Sequence, residues 1–126
     1  LMKVKKIAEG AALMTGATLE MTRYELPNDN LKTHENLSSA FMDNLKDLGI
    51  VDIHEPKETG SSDIGNVSHK TATIYPYLSI SNCPLTGHSV EMAKATTTDL
   101  AHERLLTGAL ALAYTGLDVL EKKVEL

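Results

Sequence analysis

The stretch TTTDLAHERLLTGALALAYTGLDVL, residues 96–120, decides how the rest of the chain is read. Its opening resembles a capping box, with Thr96 as the cap and Asp99 at the third helical position, where a carboxylate answers the free N–H groups of a first turn. The helix it starts is expected to run to about Glu121. From Leu105 to Leu120 it is apolar nearly all round (Leu105, Leu106, Leu110, Leu112, Leu117, Val119, Leu120), and such a helix is expected to be buried. At about 1.5–3 kcal/mol for each fully buried Leu, its burial would be the largest single contribution to the fold. Gly108, Ala109, Ala111, Ala113 and Gly116 lack bulk, so a sheet or a second helix can approach closely.

The elements on its N-terminal side are weaker. Ile74, Tyr75, Tyr77, Leu78 and Ile80 give residues 71–80 the composition of a strand, and Pro76, which has no backbone donor, places that strand at an edge or a bulge. Residues 50–70 show no sustained period and are rich in Gly, Ser and Asp, which predicts a long loop, and long ordered loops are frequently functional. Leu37, Ala40, Phe41, Leu45 and Leu48 form one apolar stripe of a helix starting near Asn36 and closed by Gly49. Residues 26–30, LPNDN, break every period and mark a crossing between two parts. Before them, Leu19 and Met21 alternate with polar residues as in a half-buried strand. Val4, Ile7, Ala8, Ala11 and Ala12 predict a first helix that stops at Gly16. That helix carries no capping residue and no initiator Met precedes it, so a chain cut within or just before a helix is expected.

Composition narrows the function classes. A length of 126 residues suits one ordinary core, and with aromatics at 4% and no Trp it must be built from aliphatic side chains. Seventeen acidic against twelve basic residues, a net charge of −5, and no basic cluster interleaved with aromatics argue against a nucleic-acid partner. The run Lys3-Val4-Lys5-Lys6 reads as a solvated helix face. Cys83 is the single cysteine, so no intrachain disulfide is available and a cytoplasmic setting is expected. No segment approaches the roughly 20 apolar residues of a membrane span, and the first residues lack the apolar core of a signal peptide.

Two loops carry the polar chemistry. His88, in PLTGHS (84–89), stands after a strand pattern and before a helix pattern, where a side chain projects from a rigid element into a cleft, and neutral imidazole is a good zinc ligand. Between Gly60 and His69 the side chains of Ser61, Ser62, Asp63, Asn66 and His69 supply donors and acceptors, and Gly60 and Gly65 allow close backbone approach. The competing reading is that Asp63 and Asn66 satisfy the loop's own backbone as Asx-turns. His102 and Glu103 are neighbours on a helix, do not face one ligand, and read as a polar helix start. His34 and His54 read as exposed, and no phosphate loop, Ser-His-Asp order or Cys-x-x-Cys pair is present.

Taken together, GSSDIGNVSH (60–69), the Tyr75-Pro76 pair after it, His88, TDLAHE (98–103) and KKIAEGAAL (5–13) with Thr15-Gly16 resemble the dinuclear-zinc amidohydrolases of metallopeptidase family twenty. That group includes aminoacylases, carboxypeptidase G, p-aminobenzoyl-glutamate hydrolases and dipeptidase-like members. The resemblance implies an α/β fold, with residues 1–27 as the last helix and strand of a lid or dimerisation domain and residues 28–126 as the C-terminal part of a catalytic domain. It implies His88 as a ligand to one of two zinc ions, with manganese or cobalt as alternatives, and Ser62, Asn66 and His69 as substrate-binding residues. Small N-acyl amino acids or dipeptides would be the substrates of a homo-oligomeric parent enzyme.

In such enzymes the bridging carboxylate, the other histidines and the catalytic Glu precede the region matched here. The chain alone is therefore expected to bind no zinc and to hydrolyse no amide, with no catalytic residue of its own. Two alternatives belong to other classes: a naturally truncated, non-catalytic self-association or binding module, and an unrelated small α/β binding domain.

Overall fold

The computed structural model describes residues 1–54 and 60–126, so residues 55–59 of the expected 50–70 loop lie outside the described part. Among the described residues five helices follow one another: α1 (Met2–Thr15), α2 (Glu35–Asp47), α3 (Ile64–Ser68), α4 (Val90–Ala95) and α5 (Asp99–Leu120). Among the described residues there is no strand, and the expected α/β fold is thereby corrected to a helical one. The reason is physical: alternation creates a strand only where a second backbone completes the ladder. Residues 17–24 form no such ladder, and the 71–80 segment receives one cross-segment backbone bond, from the His34 N–H to the Thr73 carbonyl at 2.9 Å. Strand-like patterning thus survives as chain without regular structure.

Helix ends follow local chemistry. Gly16 closes α1 in the left-handed conformation (φ 69°), as its position predicts, and Gly49 (φ 89°) turns the chain after α2 while the Ile50 N–H returns to the Leu45 carbonyl at 2.9 Å. The cap of α5 is Thr98, two residues later than the pattern suggests: its Oγ1 accepts from the Ala101 N–H at 3.2 Å. Thr96 is taken by α4, whose last turn it closes with its own N–H on the Met92 carbonyl. Three consecutive threonines allow either register, and α4, capped by Ser89, fixes the choice.

The core lies where α2 crosses α5. Phe41 and Leu45 of α2 meet Ala111 of α5, and Leu48, Ile50, Ile53, Ile74 and Leu78 pack around them half-buried. A polar seam extends the contact, with the Asn44 amide donating to Thr115 Oγ1 at 3.2 Å and to Asp118 Oδ2 at 2.9 Å. Near the chain end, the Lys123 ammonium lies 2.6 Å from Glu121, and this hydrogen bond and charge hold its pKa above the usual lysine value.

The burial of α5 is the reverse of the expected one. Its inward face consists of small residues, Ala101, Ala111 and Thr115, while Leu105, Leu106 and Leu120 are about two-thirds or more exposed. Small side chains let α2 approach, and these three leucines then lie largely outside its cover. α1 contributes nothing buried, and Leu19 and Met21 border a shallow groove against it rather than the α2–α5 core. No described helix is long and apolar enough to cross a membrane.

Candidate functional site

His88 sits in a tight turn between Gly87 and the cap of α4. Ser89 Oγ donates to the Thr86 carbonyl at 2.8 Å and accepts from the Met92 N–H at 3.1 Å, which fixes the turn from both sides. His88 itself is left-handed, with φ 57°, and its residue is exposed. For a non-glycine residue that conformation costs about 1–2 kcal/mol, and such strain concentrates where a side chain must be aimed. His is among the residues that tolerate the left-handed region best.

The second element is the turn of α3 with its flanks. Ser62 Oγ accepts from the Ile64 N–H at 3.3 Å. Asn66 uses both ends of its amide on the crossing segment: Oδ1 accepts from the Asp29 N–H at 2.7 Å and Nδ2 donates to the Pro27 carbonyl at 3.1 Å. His69 Nε2 lies 3.0 Å from the Asn30 carbonyl, and that contact requires the proton on Nε2. Ser68 Oγ accepts from the Lys32 N–H at 2.9 Å and donates to the Gly65 carbonyl at 2.6 Å. Asn28 Nδ2 completes the set by donating to Ser61 Oγ at 3.1 Å. Of the expected substrate-side residues, Ser62, Asn66 and His69 therefore share one turn. Among the described residues no hydrogen bond or ion pair joins them to His88.

One contributor, His34, had no clear mark in the sequence, whereas the close approach at Gly65 is the expected one. His34 is the cap of α2, with Nδ1 accepting from the Leu37 N–H at 3.4 Å, and is half-buried rather than exposed. Gly65 is buried against the Asp29 carbonyl, and a Cβ there would overlap its oxygen and stand 2.8 Å from its carbon. The alternation of polar side chains at 66, 68 and 69 after a glycine is the signal that carries this packing. His102 and Glu103 are exposed on the first turns of α5, and His54 lies 3.8 Å from Asp52 at the surface.

A catalytic metal needs about three protein ligands. Among the described residues no three of His, Cys, Asp and Glu converge, so these side chains do not by themselves fit a zinc centre. What they offer is one exposed imidazole on a left-handed backbone and a polar turn bonded to residues 27–32.

No protein-family profile matches the chain. Its similarity to individual proteins points to peptidases, in keeping with an amidohydrolase relationship. In particular, it is 34% identical over 124 residues to the Xaa-Arg dipeptidase of Mus musculus and, equally, to that of Homo sapiens. The match takes in 95% of this chain and 28% of either relative.

Proposed function

We propose that this chain supplies part of a metal-dependent dipeptidase or amidohydrolase that cleaves the amide bond of small dipeptides or N-acyl amino acids. The observation that carries the reading is the 34% identity to Xaa-Arg dipeptidases along almost the whole chain. Dipeptides with a C-terminal arginine are accordingly the first substrates to try. His88 is the residue of this chain assigned to the metal, and its strained, doubly braced turn supports that role. Ser62, Asn66 and His69 are assigned to the border of the substrate cleft.

Zinc, or manganese or cobalt in its place, would polarise the scissile carbonyl and activate water. This chain's own part is narrower: to aim one neutral imidazole and to hold a rigid loop beside the substrate. The remaining ligands and the general base are assigned to residues outside it, since among the described residues no three metal-binding side chains converge. The apolar outer faces of α1 and α5 favour assembly into a homo-oligomer, and the lone Cys83 suits the cytoplasm.

The test compares this chain with a longer polypeptide that contains it and matches the full length of the relatives. With zinc and a panel of Xaa-Arg dipeptides and N-acyl amino acids, the chain alone should give background rates and the longer form turnover. His88→Ala in the longer form should remove one of about four metal ligands, lowering zinc content and rate with little effect on folding. Full activity and metal content in that variant would refute the assignment of His88.

A further inference from the structure

Residues 27–32, the crossing and the two residues after it, have the composition of a flexible linker, yet their backbone is held at four points. The Pro27 carbonyl, the Asp29 N–H, the Asn30 carbonyl and the Lys32 N–H are bonded to Asn66, Asn66, His69 and Ser68, all within 3.1 Å. These partners are side chains of one short turn, which take the place of a neighbouring strand. Gly65 brings that turn into van der Waals contact with the Asp29 carbonyl, where any side chain would collide with backbone that cannot step aside. Two independent features, a hydrogen-bonded register and a close approach open only to glycine, thus converge on one segment.

We propose that residues 65–69 form a clasp that anchors the exit of residues 1–26 from the α2–α5 unit, and that Asn66, Ser68 and His69 are positioning residues for this arm. The pivot of the arm then lies N-terminal to Pro27, where the chain bends at Glu25 and no clasp bond reaches. Pro27 itself restricts the residue before it, which narrows the swing further. The clasp transmits geometry rather than energy: released, the arm loses its direction while the α2–α5 core keeps its packing, because none of Phe41, Leu45 or Ala111 touches the clasp bonds. The inference stands on these contacts and does not require the hydrolase reading.

The experiment uses the whole 126-residue chain with Cys83→Ser, and spin labels on Leu26→Cys, between the bend and the clasp, and on Ser39→Cys in α2. Electron–electron resonance should give one narrow distance distribution. Adding Asn66→Ala and Ser68→Ala should broaden it severalfold, and should lower the exchange protection of the Asp29 and Lys32 amides by about tenfold. The urea midpoint of the α2–α5 unit should hold. A broad distribution before the clasp is cut, or a narrow one after it, would overturn the proposal. Should the double variant lose cooperative unfolding, Asn66→Asp carries the same test. It keeps the acceptor for the Asp29 N–H and loses the donor to Pro27, so it must widen the distribution while Asp29 stays protected, and an unchanged distribution would overturn the proposal equally.

Discussion

Replacing Leu106 by Lys puts a charge on the outer face of α5 and asks directly whether that face is covered. Leu106 is 67% exposed, so about a third of its surface leaves water on folding. At about 1.5–3 kcal/mol for a fully buried Leu, the loss is about 0.5–1 kcal/mol. Lys and Leu have similar helix propensities, so α5 itself should be indifferent to the change. Leu45, only 5% exposed in the α2–α5 core, provides the contrast: Leu45→Ala should cost about 2–5 kcal/mol from lost contacts and the cavity left behind. Urea unfolding followed by circular dichroism, at protein concentrations low enough to keep the chain monomeric by sedimentation velocity, measures both. A cost for Leu106→Lys equal to that of Leu45→Ala would refute the exposed placement of the leucines. At higher concentration the parent chain should self-associate and the Lys variant less so, because Leu106, Leu110 and Leu117 share one exposed apolar side of α5.

Gly65→Ala should push the 65–69 turn off the Asp29 backbone and lower the exchange protection of the Asp29 amide while the urea midpoint of the α2–α5 core holds, whereas Gly10→Ala, with open space around it, should stabilise α1 by up to about 1 kcal/mol; amide exchange and helicity of the two variants separate these cases. Thr98→Ala should cost about 1 kcal/mol by removing the cap of α5, and Thr96→Ala, although it deletes the residue that sequence alone favours as the cap, should cost clearly less in the same assay. The Lys123 ammonium, stabilised first by its hydrogen bond to Glu121, titrates above 10.5, so the small stability it lends is complete below that pH and is lost as pH rises through the raised value. An NMR titration of Lys123 should show that midpoint fall toward 10.5 in Glu121→Gln.

Helices were legible in the sequence where the signal is periodic and local. The α2 stripe, the Gly16 and Gly49 stops and the length of α5 all follow from side chains spaced three and four apart and from backbone that only glycine adopts easily. Strands were not, because a strand is a property of two backbones. The alternation at Leu19 and Met21, and the Ile74 to Ile80 pattern, report a face that prefers burial and cannot supply the neighbour that would complete a ladder. For the same reason the leucines of α5 predict a need for cover without supplying any.

The candidate site divides along the same line. His88 could be singled out because a histidine between two turn signals is a local feature, and the structure adds a left-handed backbone at that residue, which the sequence does not contain. The turn 60–69 could be singled out as polar and glycine-rich, but not for what it holds. Asn66 meets Asp29 and Pro27 across 37 and 39 residues, and His69 meets Asn30 across 39. A polar side chain in a loop serves equally well to bind a ligand or to satisfy distant backbone, and composition is the same in both cases. At Asn66 both ends of the amide are bonded to main-chain atoms of the crossing segment. These bonds act on the shape of the loop and on the segment it holds, so removal of Asn66 should be felt first as lost geometry at residues 27–29.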